Sequence, residues 1–338
     1  MAGVIDRRAV LATGAAALAA PAHAKGRWSQ PKLDAFRAEA KALEVKGLVV
    51  LHGGRPLVSD GDVSAADRIA SVRKSFLSAL YGIAARDQKI DLDQTLAQVG
   101  IDDYTPLTSV ERGATIRQLL EARSGVYIPS SAETPAMKAA RPARGSHAPG
   151  AFWYYNNWDF NALGEAYQRL TGVPLFTAFE HQIARPLDFQ DFDPLKHARW
   201  GYDAEQPRFP AYNLWLSARD MAKFGQLYLQ KGQWQGRELV PASWVAESTR
   251  AISRTGDTGI MSGYGYLWWI DADPAASGLP PGCYTAAGNG GRYIVVMPAL
   301  DTVVGIQCYE AEGRPKARLY AEKALSRLLL MLATAYET

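Results

Sequence analysis

The chain has 338 residues, 48% of them hydrophobic, with 37 Lys and Arg against 34 Asp and Glu. A formal charge of +3 with no Lys/Arg run gives no case for a nucleic-acid partner. Only two cysteines occur, Cys283 and Cys308, which excludes a disulfide scaffold, and no cluster has zinc-ligand spacing.

Residues 1–24 read as an export signal. Arg7-Arg8 precede an apolar run from Ala9 to Ala20, and Ala22-His23-Ala24 supplies a small-x-small cleavage site. The pattern Asp6-Arg7-Arg8-Ala9-Val10-Leu11 is similar to a twin-arginine signal, which makes the twin-arginine export machinery an expected partner. Cleavage after Ala24 leaves a periplasmic or secreted protein of net charge about +2, and no later stretch is long and apolar enough to anchor it in a membrane.

The remaining chain is long enough for one or two domains. Residues Lys32 to Val45 carry Leu33, Phe36, Ala40 and Leu43 on one side of a helix. Gly47 to Leu51 is a buried strand, turned by Gly53-Gly54 into a second one through Leu57 and Val58. His52-Gly53-Gly54 is also similar to a lipase oxyanion loop, but no G-x-S-x-G elbow accompanies it, so the turn reading stands. A helix through Ala85 follows, with Phe76, Leu77, Leu80, Ile83 and Ala84 at helical spacing. Further helices are expected over Ile116 to Ala122, Asn161 to Leu170, Leu175 to Ile183 and Met221 to Gln230, the last opened by a capping box of Ser217 with Asp220. Pro- and Gly-rich loops, notably Arg141 to Gly150 and Arg185 to Pro210, separate them. Strand patterns return over Tyr264 to Trp269, Cys283 to Ala287, Tyr293 to Met297 and Val303 to Cys308, before a closing helix from Lys316 to Ala335. The predicted fold is α/β (α+β), one layer whose chain is interrupted by an all-helical insertion. Residues 25–70 and 255–338 would form the sheet domain and 71–254 the helical one, with the site at their junction.

Three stretches carry chemistry. Ser71 and Lys74 lie three residues apart where a helix begins, so the hydroxyl and the amine share a face. Ser71 is then either a helix N-cap or a nucleophile beside its base. The same spacing at Ser29 and Lys32 has Pro31 inside it and no strand before it, and is read as chance. In Phe152-Trp153-Tyr154-Tyr155-Asn156-Asn157 a tyrosine stands two places before an asparagine in two registers, Tyr154 with Asn156 or Tyr155 with Asn157. Either offers a phenol to carry a proton and an amide to hold a substrate carbonyl. Last, Gly288-Asn289-Gly290-Gly291-Arg292 lies between two strands, where glycines admit a close ligand and leave amides for an oxyanion.

With these boxes in this order, the chain resembles the serine β-lactamase and penicillin-binding-protein superfamily, in particular its class C-like branch of esterases, D-amino-acid peptidases and amidases. Supporting segments are Thr115 to Leu120 followed by Ser124-Gly125, Leu163-Gly164, Leu216 to Met221 and Gly263-Tyr264-Gly265-Tyr266. The resemblance implies Ser71 as nucleophile, Lys74 as its base and no cofactor. By its distance from Leu163-Gly164, Tyr155 is the proton-shuttling tyrosine and Asn157 the box asparagine. The amides of Ser71 and Gly291 would receive the oxyanion. Where the β-lactamases carry Lys or His before x-Gly, this chain has Gly288 before Asn289-Gly290, with Arg292 nearby as a substitute cation. That departure favours a small ester or amide over a β-lactam or a D-peptide of the cell wall. A binder of wall fragments without turnover is the alternative of another class. The resemblance also separates the strands of Cys283 and Cys308 by a third, so both are expected as free, buried thiols. Arg73 is read as facing solvent, and Trp153, Trp158, Trp268 and Trp269 either as pointing to an apolar or aromatic substrate or, equally, as core residues.

Overall fold

The computed structural model describes residues 26–203, 207–257, 259–309 and 322–337. The export-signal segment and the first turns of the expected closing helix lie outside them. No helix among the described residues is long and apolar enough to cross a membrane.

The helix α1 (Gln30–Ala42) leads into a hairpin of β1 (Val45–His52) and β2 (Arg55–Gly61). Gly53 and Gly54 turn it with φ of +56° and +73°, values that glycine adopts without steric cost. The late strands β3 (Ser253–Arg254), β4 (Gly263–Tyr264), β5 (Trp269–Ile270), β6 (Tyr284–Gly288), β7 (Arg292–Met297) and β8 (Thr302–Cys308) join that hairpin. Together they form one eight-stranded antiparallel sheet in the order β2-β1-β8-β7-β6-β5-β4-β3.

Alternation along the strands gives the sheet two apolar faces. Val50, Val295, Val304 and Ile306 pack with Leu33 and Phe36 of α1 and with Leu325, Leu328 and Leu332 of a closing helix, α5 (Glu322–Ala335). Their neighbours Ile294, Val296 and Val303 turn to the other face and join the main core, which includes α4 (Ala218–Leu229). A Cβ at Gly225 of α4 would lie 2.5 Å from Val303, so glycine is what lets this helix sit directly on the sheet.

Within the main core runs α2 (Arg73–Arg86), whose residues from Arg73 to Ala84 are all buried. Phe76 stacks on Phe224 and meets Phe179 edge-on, and Trp244 lies where a Cβ on Gly82 would stand. Beside it runs α3 (Asn157–Thr171), which begins four residues earlier than its apolar spacing predicts, because Asn156 caps it by accepting from the Trp158 amide.

Three sequence expectations need correction. The run Tyr264 to Trp269 is not one strand, because Tyr264 pairs with Trp269 across a hairpin. Leu267 at φ +62° makes that turn, and Ser75 Oγ holds its carbonyl at 2.8 Å, so local turn geometry overrides the aromatic strand pattern. The middle of the chain is not all helical. Ala198–Gly201, inside the stretch read as a loop, pairs with Ala211–Leu216, which pairs with Asp67–Arg68 in a three-stranded sheet. These strands are short, and Arg199 and Asn213 break the apolar alternation that would have shown them. Finally, Ser217 caps α4, but Asp220 does not complete a capping box: its carboxylate accepts from the Gln190 and Asp191 amides.

Both cysteines are free and buried. Cys283 precedes β6 at the end where Met297 pairs with Thr302, whereas Cys308 closes β8 at the opposite end. The two are thus parted along the strands as well as across β7. Burial pushes both thiols up to about 12.

Candidate functional site

Ser71 sits in a short 3-10 turn, Ala70–Val72, directly ahead of α2. No side chain caps either helix start, so the hydroxyl is not spent on an N-cap. In a 3-10 turn residues i and i+3 eclipse, which carries Lys74 over Ser71. Lys74 Nζ donates to Ser71 Oγ at 2.8 Å and to Tyr155 Oη at 2.8 Å. Ala70, immediately before the serine, is held at φ +48°, a left-handed conformation unusual for a residue with a Cβ.

Lys74 is only 2% exposed. Its ammonium end faces the rings of Tyr155 at 4.6 Å and Phe160 at 4.7 Å. Burial, and after it the neighbouring charge of Arg73, hold the amine well below the usual lysine range. Arg73 does not face solvent. It is 3% exposed, reaching the Ala70 carbonyl, Asn161 Oδ1 and the face of Tyr212.

The two tyrosines part company here. Tyr155 meets Lys74 and stacks on Trp269 at 5.1 Å, while Tyr154 Oη donates to the Met137 carbonyl. Asn157 opens α3 and lines the same cleft as Ser71 and Tyr155. Its Nδ2 is committed to the Ala132 carbonyl at 2.7 Å, and its buried Oδ1 has no protein partner. Nδ2 also reaches Met137 Sδ at 3.9 Å, so the N–H donor expected for a substrate carbonyl is spent within the protein.

Behind this loop lies a residue that sequence reading missed. Asp159 is fully buried, accepts from Ser124 Oγ and, at 2.9 Å, from Asn156 Nδ2, and ties the Ser124 turn to the cap of α3. Burial raises its carboxyl well above the usual range. The Ser124-Gly125 pair was the only trace of it in the sequence.

The third box needs a shift of register. Gly288, the last residue of β6, passes so close to the serine turn that a Cβ on it would stand 2.4 Å from the Ile69 carbonyl oxygen. We propose on this ground that Gly288 is the strand glycine of the x-Gly pattern, which would put Ala286 two places before it in the position first read as Gly288. Neither is a cation, so the departure itself remains. Gly288, Asn289, Gly290 and Arg292 line the cleft, whereas Gly291 does not. Gly290 and Gly291 turn the hairpin at φ +86° and +83°, and Arg292 donates to the Asn289 carbonyl at 3.0 Å.

The cleft encloses about 1480 Å³ between the sheet and the helical part. Trp153 and Trp269 wall it, but Trp158 and Trp268 are core residues. The three-stranded sheet supplies a further wall with Arg68, Arg199 and Asn213, none of which stood out in the sequence.

An antiparallel sheet with a mainly helical insertion and a cleft at their junction defines a β-lactamase/transpeptidase-like fold. The chain belongs to the beta-lactamase family of serine hydrolases, whose family model matches residues 37–326. A curated relative, an uncharacterized protein of Alkalihalophilus pseudofirmus, is 21% identical over 272 residues, 75% of this chain and 76% of that one. Among solved structures, a candidate 6-aminohexanoate-dimer hydrolase from Bacillus anthracis superposes with a TM-score of 0.64 at 20% identity, covering 88% of this chain and 81% of its own. A penicillin-binding-protein homologue from Caulobacter crescentus gives 0.66 at 14% identity over 91% and 99%. At such identities these structures bear on the fold alone.

Proposed function

We propose that this chain is an exported serine hydrolase that forms an acyl-enzyme on Ser71 and hydrolyses a small amide or ester. The observation that carries the reading is Lys74 Nζ in contact with both Ser71 Oγ and Tyr155 Oη inside a buried pocket. A neutral amine there takes the proton as Ser71 Oγ attacks the substrate carbonyl carbon. The tetrahedral oxyanion is received by backbone amides, those of Ser71 and, in place of Gly291, Asn289 at the end of β6. Its collapse breaks the bond to the leaving group, which takes up the proton through Tyr155. Water then attacks the acyl-enzyme, giving its proton to the amine, and Ser71 recovers one as the acid departs.

The name of the Bacillus anthracis relative supports the same chemistry. A second reading, a β-lactam or a D-peptide of the cell wall, draws support from the family and from Arg292 on the cleft wall. Export rests on the twin-arginine pattern of residues 1–24.

Treatment of the processed protein with a fluorophosphonate is expected to give a single adduct that maps to Ser71, and exposure to a penicillin separates the two substrate readings. No adduct with either reagent would leave a binder without turnover. Tyr155→Phe is expected to lower turnover by roughly 10²-fold or more, the size of a lost proton-transfer group, while Tyr154→Phe stays within about threefold. The reverse order would move the role to Tyr154.

A further inference from the structure

One wall of the cleft holds two arginines that the acylation scheme does not use. Arg73 lies two residues after Ser71 and is 3% exposed, yet the groups it meets are neutral: two oxygen acceptors and the Tyr212 ring. Arg68, on the adjoining strand, gives one hydrogen bond to Asn213 Oδ1 at 3.1 Å. The Nε atoms of both are buried without a hydrogen-bond partner. Neither makes an ion pair among the described residues. Nearby carboxylates are taken by others, Asp67 by Lys46 and Glu133 by Arg141. Arg68 is close enough to Arg73 to depress its proton affinity further, so the two charges repel across the same wall.

A guanidinium remains charged in a protein, and a buried charge without a counter-ion is unfavourable unless something else supplies one. We infer that Arg68 and Arg73 form an anion subsite, and that the substrate is an amide or ester carrying a carboxylate a few atoms from its scissile carbonyl. The inference rests on the acyl-transfer reading of the same cleft and names its substrate class. It also accounts for the third box: a cation absent from β6 is replaced by two that flank the serine turn. A carboxylate fits because the guanidinium fork accepts it in a fixed geometry and each hydrogen bond is charge-assisted.

The test is binding, measured by calorimetry on the Ser71→Ala protein so that turnover plays no part. Two acids are compared with their own primary amides: glutaric acid monoanilide, with its carboxylate on the acyl side, and N-benzoyl-β-alanine, with it on the amine side. At least one acid is expected to bind about tenfold or more tighter than its amide, as charged hydrogen bonds imply. Adding Arg68→Gln or Arg73→Gln should erase that preference while leaving the amide's affinity unchanged, and Arg68→Lys should retain part of it. Arg68→Gln carries the test if the buried Arg73→Gln variant fails to fold. Equal affinities for acid and amide in both pairs, or a preference that survives Arg68→Gln, would overturn the subsite. Fluorophosphonate labelling of Ser71 in the unaltered protein reads the acyl-transfer proposal separately.

Discussion

Ser71→Ala is expected to abolish acyl-enzyme formation, and Lys74→Met to lower kcat/KM on a chromogenic ester by about 10²- to 10⁴-fold while raising the thermal midpoint. The rate loss follows from the two 2.8 Å contacts, since Lys74 touches both Ser71 Oγ and Tyr155 Oη. The stability gain follows from burial. The folded protein holds Lys74 well below the ordinary lysine range, so at any pH between the folded and unfolded values the unfolded chain binds a proton there that the folded chain does not. Stability from this group therefore rises with pH between its folded value and the unfolded one near ~10.4, and is lowest below the folded value. Methionine fills a similar volume without that charge. Kinetics beside thermal unfolding from pH 6 to 9 check both halves: the unaltered protein should gain stability over the part of the range above the folded value of Lys74, and Lys74→Met should lose that part of the slope. A variant within about threefold of the unaltered rate would remove Lys74 from the proton path.

Gly288→Ala is expected to cost about 10²-fold in turnover together with about 1–3 kcal/mol of stability. The added Cβ would stand 2.4 Å from the Ile69 carbonyl oxygen and 3.2 Å from Val72, so either β6 or the serine turn must move. Both carry parts of the site. The turn places Ser71, and β6 delivers the amide of Asn289. The matching change Ala286→Ser, on the same strand but away from that approach, should cost about 1–3 kcal/mol of stability, because it puts a hydroxyl in the core, yet leave turnover within about threefold. If Gly288→Ala matched the unaltered protein in rate, the strand would have no part in binding the oxyanion.

Much of this molecule could be read before any coordinates. The apolar spacing of Leu33, Phe36 and Ala40 gave the first helix, and the β-branched runs around Val50, Val295 and Val304 gave the sheet, because burial on a helix or strand leaves a periodic trace. Ser71 and Lys74 were legible for a similar reason: their spacing is itself the geometry. Other parts depended on contacts far apart in the chain. The burial of Arg73 depends on Asn161 and Tyr212, which its neighbours in sequence do not reveal. The fold-back at Leu267 depends on Ser75, and the wall bearing Arg68 on pairing between residues 67 and 216. The register of the third box was set by backbone proximity at Ile69, which no side-chain pattern encodes.

The position of the two cysteines has a consequence for the order of events in the life of the chain. Cys283 and Cys308 sit at opposite ends of strands that are not neighbours, so no oxidant can join them without taking the sheet apart. Folding then waits on no enzyme of disulfide formation and tolerates a reducing solution as readily as an oxidising one. The serine turn, the buried lysine and the tyrosine loop can all be in place beforehand, as the twin-arginine export proposed for this chain would require.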